Sequence, residues 1–135
     1  MEPNKIEDIE DIEEFINKKN IFAVIGVSQD TNKYGRKVFD DLKKYNYSVF
    51  PINPKEEFIL NSKCYKNLKS LPVKPDVVSF VIPPAIGIHI IMECKELGID
   101  KVWLQPGSES EEIIEYCKDN KIGCLHHQCV LLNLK

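Results

Sequence analysis

Long apolar runs, a secretion signal and paired cysteine motifs are all missing from this sequence. No apolar run approaches the roughly 20 residues of a membrane-spanning helix, and the acidic N-terminus lacks the apolar core of a signal peptide. The five cysteines are odd in number and form no C-x-x-C pair. We therefore expect a cytoplasmic protein with reduced, buried thiols and no membrane partner.

The sequence also lacks an excess of basic residues, which argues against nucleic acid as its partner. The formal net charge is −3 and is unevenly placed, because residues 1–20 hold seven acidic residues against three lysines. Residues 21–135 are consequently nearly neutral, at +1. A local basic group in this part of the chain can still receive an anionic ligand.

The length of 135 residues fits one domain with a substantial core, preceded by an acidic helix over residues 1–20. Apolar residues recur at helical spacing in this helix, and lysines follow its acidic first half, as the helix dipole favours. We expect the apolar stripe to pack on the domain or on a second copy in a homodimer. The stripe consists of Ile6, Ile9, Ile12, Phe15 and Ile16.

Apolar strands alternate with helices over residues 21–135, which predicts a parallel sheet covered on both faces. This pattern and the right-handed crossover rule favour a Rossmann-like, doubly wound α/β domain with strand order 3-2-1-4-5. Ser108 and Glu111 predict a capping box at the start of the last helix. The predicted strands span residues 21–27, 47–52, 76–82, 101–104 and 121–125, and the helices span 34–45, 85–97 and 108–118.

The first predicted strand breaks at Gly26 and leads through a small, polar loop into a helix. Free backbone N–H groups and the positive helix end converge on such a loop, which suits a phosphate group. Gly26 permits close approach of the backbone, Ser28 can donate its hydroxyl, and Gly35 permits close packing of helix on strand. The spacing is not G-x-G-x-x-G, so an ordinary strand–helix turn is the alternative. A β-branched residue at position 26 is expected to fill the phosphate space and also to strain the turn, and to weaken binding more than it unfolds the protein.

The second predicted strand ends at the edge of the sheet where such folds bind ligands, in Asn53, Pro54 and Lys55. An NAD-binding site usually carries an acidic residue at this place, which holds the ribose hydroxyl. A lysine there favours an adenosine that bears an additional phosphate, as in coenzyme A or NADP. The alternative is a solvated loop lysine.

The third predicted strand ends at the same edge, in Ile82, Pro83 and Pro84. Pro84 can open the next helix, because its missing N–H falls among first-turn groups that have no partner within a helix. Gln105 ends the fourth strand, where it can hydrogen-bond a ligand or the turn. Residues 126–129, His-His-Gln-Cys, make a poor zinc site, because adjacent histidines point to opposite faces of an extended chain. The sequence shows no nucleophile with its base and no paired carboxylates that would indicate catalysis.

Taken together, these segments resemble the stand-alone coenzyme A-binding proteins, which are similar to the N-terminal part of the succinyl-CoA synthetase alpha subunit. The resemblance covers residues 21 to about 130 in order. The matching segments are Ala23–Ser28, Gly35 with Val38 and Leu42, Tyr47–Lys55, Cys64–Tyr65, Leu68, Leu71–Pro72, Asp76–Val78, Val81–Pro84, Lys101–Gly107 and Cys129.

The resemblance implies that residues 21–135 form a domain that binds coenzyme A or an acyl-CoA. The pyrophosphate would lie on the loop after the first strand, Lys55 would meet the phosphorylated adenosine end, and the end of the third strand would line the pocket. It also implies a non-catalytic module, since the related subunit reacts through a histidine in a second domain. An NADP-type oxidoreductase, a CoA-transferring component that needs a partner chain, and a ligand-sensing interaction protein are the alternatives. The binding residues so assigned are Gly26, Val27, Ser28, Gln29, Asp30, Thr31, Gly35, Asn53, Pro54, Lys55, Ile82, Pro83 and Pro84.

Overall fold

The structure, a computed structural model, describes residues 12–127, 130, 133 and 134. Strands and helices alternate along the chain as the apolar pattern predicts, with a short antiparallel pair and a 3₁₀ turn between the second and third long strands. The elements are β1 (Ile21–Ile25), α1 (Tyr34–Lys44), β2 (Ser48–Ile52), β3 (Phe58–Ile59), β4 (Ser62–Lys63), the 3₁₀ turn (Leu68–Ser70), β5 (Val77–Phe80), α2 (Pro84–Leu97), β6 (Lys101–Leu104), α3 (Glu111–Asp119) and β7 (Gly123–Leu125).

Five of these strands form one parallel sheet, covered on both faces by helices. Along β1, Phe22 and Val24 join the apolar cluster under α1, whereas Ala23 and Ile25 join the cluster under α2 and α3. Successive side chains of a strand point to opposite faces, so a strand that is apolar throughout is buried from both sides. The predicted Rossmann-like α/β fold is confirmed.

The strand order differs from the expected one. The order in the sheet is β2-β1-β5-β6-β7, so the third long strand lies beside β1 and not beside β2. Counted over the five long strands, the order is 2-1-3-4-5, and the prediction of 3-2-1-4-5 is wrong. Pro51 supplies the physical reason, because a residue without an N–H is tolerated on an edge strand and weakens a central one. In agreement, Ser48 of β2 is exposed while β5 is buried at every position.

The outer edge of β2 meets the segment that follows β4. Ile52 and Tyr65 form an isolated parallel bridge. The Tyr65 N–H donates to the Pro51 carbonyl over 3.0 Å, and the Asn53 N–H donates to the Tyr65 carbonyl over 2.9 Å. Because the bridge is parallel, the chain after Tyr65 leaves the sheet at the same edge as the chain after β2.

The N-terminal segment packs on the sheet face that α1 covers. Residues 12–15 are helical, and Phe15 and Ile16 are buried. The Phe15 ring meets Trp103 edge to face, with centroids 6.1 Å apart, and the Tyr47 hydroxyl donates to the Ile16 carbonyl over 2.7 Å. The described part of the apolar stripe therefore packs on its own domain. The rest of the stripe lies outside the described residues, and the homodimer stays a prediction.

The sequence signals place the start of α2 correctly and that of α3 incorrectly. Pro84 is the first residue of α2, as expected. The hydroxyl of Ser110 caps α3, so the predicted box of Ser108 with Glu111 is wrong. Ser108 is buried and its hydroxyl instead accepts the Ile82 N–H over 3.0 Å, which ties the loop after β6 to the end of β5. Within the described ranges, no helix is long and apolar enough to cross a membrane.

Candidate functional site

A cleft of about 390 Å³ opens at the carboxyl edge of the sheet, between the end of β2 and helix α2. It brings together residues from three segments that the sequence predicted at this edge, and it adds residues from α2 and from the segment after β4. Glu93 is the one acidic residue among the described residues that line it. The residues that line the cleft include Gly26, Asn53, Pro54, Lys55, Lys66, Asn67, Ile82, Ile86, Ile90 and Glu93.

One wall of the cleft is apolar. Ile82 precedes α2, and Ile86 and Ile90 follow at intervals of four residues, so the last two lie on one face of the helix. Ile86 is 54% exposed. An aliphatic surface of this kind, open to a cleft, suits the face of a flat apolar ring.

The opposite wall is cationic. Lys55 follows β2 and Lys66 follows Tyr65, and both line the cleft. The Lys55 backbone N–H donates to the Asn53 side-chain oxygen over 2.9 Å, which fixes the turn that carries this lysine. Neither ammonium group makes a hydrogen bond or an ion pair with any residue in the described part of the chain. The wall can therefore receive an anion without first breaking an ion pair.

Gly26 lies where three main-chain segments meet, and its conformation requires glycine. Its φ is +99°, and a Cβ added there would lie 2.2 Å from the Val81 carbonyl oxygen. A Cβ added to Gly35 would lie 2.2 Å from the Gly26 carbonyl oxygen, which confirms the predicted close packing of helix on strand. The space beside the Gly26 Cα is thus filled by the end of β5, so a side chain there would collide with protein rather than with a ligand.

The loop after β1 satisfies most of its own N–H groups. The Asp30 N–H donates to the Ser28 hydroxyl over 3.0 Å, and the Gln29 N–H donates to the Glu56 carboxylate over 3.4 Å. The Ser28 and Thr31 N–H groups make no hydrogen bond to any described residue. The expectation of a loop with free N–H groups is therefore correct for these two positions only. The short polar side chains of Ser28 and Asp30 within the loop, together with the Glu56 carboxylate from outside it, account for the difference.

A buried arginine that the sequence analysis missed holds this loop on α1. Arg36 is 4% exposed. Its Nη1 donates to the Gln29 carbonyl over 2.8 Å, and its Nε donates to the Asp40 carboxylate over 2.9 Å. In the sequence, Arg36 resembles an ordinary polar residue of an amphipathic helix. Only its burial in the structure shows that it holds the loop.

Asn53 joins the loops that follow β1 and β2. Its amide nitrogen donates to the carbonyl of the buried Val27 over 2.8 Å, while its side-chain oxygen holds the Lys55 turn. The residue that replaces the expected acid of an NAD site therefore positions the lysine. It leaves no carboxylate at the end of β2 for a ribose hydroxyl.

The predicted site residues fall into three groups. The cleft is lined by Gly26, Asn53, Pro54, Lys55 and Ile82. The loop of Val27, Ser28, Gln29, Asp30 and Thr31 follows Gly26 and leads into α1, whose N-cap residue Lys33 makes no side-chain cap. Gly35 packs beneath the turn, and Pro83 and Pro84 begin α2 without lining the cleft.

Gln105 has a structural role and does not line the cleft. It is fully buried, its amide nitrogen donates to the Ser79 hydroxyl over 3.0 Å, and its oxygen accepts the Val130 N–H over 3.0 Å. Gln105 thus links Val130 to the sheet. Of the two roles expected for it, a bond to a ligand or a bond within the protein, the structure supports the second.

The described cysteines are free thiols, three of them buried. Burial raises the pKa of the Cys94 thiol, and it also raises the pKa of Cys64, whose sulfur lies 3.8 Å from the Asn53 carbonyl. A raised pKa keeps a thiol protonated and unreactive. Cys129 lies outside the described residues, and in the described part no cluster of three or more His, Cys, Asp or Glu could hold a metal.

A larger cavity, of about 500 Å³, lies beyond the cleft on the outer side of β2. It shares Lys66 and Asn67 with the cleft but contains none of the predicted site residues. The cleft, where the strand ends and the predicted residues converge, is the better candidate, because open α/β sheets bind ligands at this edge.

Two curated relatives are ligases that are much longer than this chain. It is 38% identical over 89 residues to the alpha subunit of ADP-forming acetate–CoA ligase II from Pyrococcus furiosus, covering 65% of this chain and 19% of that protein. It is 30% identical over 108 residues to the ADP-forming acetate–CoA ligase of Methanocaldococcus jannaschii, covering 80% and 15%. The chain therefore spans about a fifth or less of the length of these relatives.

Small proteins of solved structure match the chain over almost their whole length. A conserved hypothetical protein from Pyrococcus furiosus superposes with a TM-score of 0.80 at 34% identity, covering 84% of this chain and 97% of that one. A hypothetical protein from Pyrococcus horikoshii gives 0.88 at 25% identity, covering 98% and 96%. The family model described as a CoA binding domain matches residues 20–135, and the chain therefore belongs to the CoA binding domain family.

Proposed function

We propose that this protein binds coenzyme A or an acyl-CoA as a non-catalytic module. The adenosine end occupies the cleft, and the pyrophosphate lies beside the loop after β1. The observation that carries the proposal is the cleft itself, which joins Gly26, Lys55 and the isoleucine wall at the carboxyl edge of the sheet. Membership of the CoA binding domain family supports the same ligand.

The two walls of the cleft match the two halves of a phosphorylated adenosine. The adenine ring packs on the apolar wall of Ile82, Ile86 and Ile90, and the phosphate on the ribose meets Lys55. A charge-assisted contact of this type is stronger than a neutral hydrogen bond. NAD carries no such phosphate, and the end of β2 offers Asn53 where a carboxylate would bind its ribose.

The pyrophosphate has two N–H donors that are not engaged by described residues, those of Ser28 and Thr31. The start of α1 adds the positive end of its dipole, and its first turn contains no acidic residue. One further N–H group, that of Gln29, becomes available if the ligand displaces the Glu56 carboxylate.

The lining of the cleft supports binding without catalysis. Among its described residues are lysines, asparagines, a glutamate and aliphatic side chains, but no serine, cysteine or histidine. A nucleophile paired with a base is therefore missing from this lining.

The decisive experiment compares coenzyme A, dephospho-coenzyme A and NAD by titration calorimetry. We expect the wild-type protein to bind coenzyme A at concentrations where NAD gives no heat. Lys55→Ala should weaken coenzyme A by about tenfold, since a hydrogen bond to a charged group contributes about 1.5 kcal/mol at the lower end of its range. Dephospho-coenzyme A, which lacks the phosphate in question, should lose much less.

Lys69→Ala is the matched control, because Lys69 is an exposed lysine of the nearby 3₁₀ turn that does not line the cleft. Binding of NAD that is as tight as that of coenzyme A would refute the proposal. If Lys55→Ala lowers the affinity for coenzyme A and for dephospho-coenzyme A by the same factor, Lys55 does not contact the ribose phosphate.

A second candidate is a CoA-handling component that acts with a partner chain. It is favoured by the similarity to part of an acetate–CoA ligase subunit. Incubation of the purified chain with acetate, ATP and coenzyme A, followed by an assay for ADP, tests whether it reacts alone. We expect no ADP above background. ADP formation by this chain alone would contradict the proposal that the protein is a non-catalytic module.

A further inference from the structure

We propose that Lys66 is a specificity-determining residue that reads the ribose phosphate of coenzyme A together with Lys55, an inference that rests on the proposed function. No sequence pattern singled out Lys66, and it follows Lys55 by eleven positions along an irregular segment. Three observations bring it to the site: the bridge that precedes it, the cap that follows it, and its charge.

The bridge between Ile52 and Tyr65 directs Lys66 to the cleft. Because the pairing is parallel, Tyr65 stands beside Ile52, and Lys66 leaves the sheet in the same direction as Asn53. The bonds of the bridge, 2.9 and 3.0 Å long, fix the backbone immediately before Lys66. Lys55 and Lys66 therefore reach the same cleft from neighbouring chain ends.

The chain immediately after Lys66 is fixed as well. Asn67 caps the 3₁₀ turn, since its side-chain oxygen accepts the Ser70 N–H over 2.9 Å. In return, the Ser70 hydroxyl donates to the Asn67 carbonyl over 2.8 Å. A lysine whose backbone is held on both sides loses less entropy on binding than a lysine on a free loop.

The two lysines of the cleft favour a doubly charged anion over a singly charged one. The ammonium group of Lys66, like that of Lys55, has no hydrogen-bond or ion-pair partner in the described ranges, and Glu93 is the only acid among the described lining residues. A phosphate monoester carries about −1.5 to −2 charges near pH 7, which matches two ammonium groups better than one. Each phosphate of a pyrophosphate diester carries a single charge, so the monoester on the ribose is the better partner for the lysine pair.

The test measures the preference for coenzyme A over dephospho-coenzyme A in four proteins: wild type, Lys66→Ala, Lys66→Arg and Lys69→Ala. We expect Lys66→Ala to reduce the preference about tenfold, the lower end of the range for a hydrogen bond to a charged group. Lys66→Arg should retain most of the preference because it keeps the charge. Lys69→Ala removes an exposed lysine three positions away and should behave as wild type.

The outcomes separate this inference from the proposed function. If Lys66→Ala keeps the wild-type preference, or weakens both ligands by the same factor, Lys66 does not read the phosphate, while coenzyme A binding by the wild type still stands. If the wild-type protein binds neither ligand, the proposed function is wrong and the role of Lys66 is wrong with it. Far-UV circular dichroism of each variant verifies that it is folded.

Discussion

The contact of Gly26 with the end of β5 predicts that alanine at this position destabilises the fold strongly. Gly26→Ala introduces two separate costs. The first is backbone strain at φ +99°, and the second is a Cβ only 2.2 Å from the Val81 carbonyl oxygen. Because that oxygen belongs to the main chain, no change of rotamer relieves the collision, and β5 must move away from the turn.

The chain contains glycines that separate the two costs. Gly107 has a φ of +95° but no atom within 4 Å of an added Cβ, so Gly107→Ala carries the strain alone. Gly35 lies in α1, where an added Cβ would lie 2.2 Å from the Gly26 carbonyl oxygen, so Gly35→Ala isolates the collision. In a helix without a collision, alanine would be favoured over glycine by about 1 kcal/mol.

The magnitudes follow from these geometries. Strain in the left-handed region costs about 1–2 kcal/mol, which is the whole effect expected for Gly107→Ala. Overpacking adds about 1–3 kcal/mol, so Gly26→Ala should cost about 2–5 kcal/mol of the free energy of unfolding. Gly35→Ala should also destabilise, despite the higher helix propensity of alanine.

Urea denaturation followed by far-UV circular dichroism measures the free energy of unfolding of each variant. The three variants should unfold with similar m-values, since the surface exposed on unfolding is unchanged. If Gly26→Ala costs no more than Gly107→Ala, or if Gly35→Ala is more stable than wild type, the close approach of the three segments is wrong.

Three further predictions concern the loop and the N-terminal segment. Glu56→Gln removes the negative charge next to the Gln29 N–H and should raise the affinity for coenzyme A severalfold in calorimetry, because repulsion between two charges 4 Å apart in water costs about 1 kcal/mol. A lower affinity would contradict the placement of the pyrophosphate beside this loop. Arg36→Ala leaves the Gln29 carbonyl and the Asp40 carboxylate without this donor, so hydrogen exchange of residues 28–33 should accelerate and the free energy of unfolding should fall by about 1–3 kcal/mol. Unchanged exchange would show that the arginine does not hold the loop. Phe15→Ala leaves a cavity beside Trp103 and should lower the free energy of unfolding by about 3–5 kcal/mol with little change in coenzyme A affinity. Loss of coenzyme A binding would instead assign the segment that carries Phe15 to the binding site.

Much of the fold could be predicted because it depends on local signals. The apolar strands, the helices between them and the proline at the start of α2 each have a direct physical cause in neighbouring residues. Gly35 was predicted correctly for the same reason, since only a small residue allows a helix to approach a strand closely. The strand order also had a signal, Pro51, which points to an edge strand. The crossover rule does not settle the order, because it fixes the handedness of a connection and not which strand lies beside β1.

The parts of the site that escaped prediction depend on tertiary placement. Lys66 reaches the cleft through a bridge to β2 that no local pattern encodes, and Ile86 resembles any aliphatic residue of a helix until its exposure is known. Arg36 reads as a surface residue and is buried. Serine and aspartate favour bonds from their side chains to the nearby backbone, so hydrogen bonds of this type were predictable in the loop after β1. The number of N–H groups that they engage was not.

The bridge between Ile52 and Tyr65 has a consequence for how the protein behaves in concentrated solution. An open sheet ends in unpaired main-chain groups that can pair with another molecule, and proteins restrain this by covering the edge or by placing proline on it. Here the carboxyl half of β2 carries both devices, Pro51 and the Tyr65 segment. The same segment forms a wall of the cleft. A motion that opened the cleft on this side would therefore uncover a strand edge, so a bound ligand that holds the segment in place should also slow aggregation.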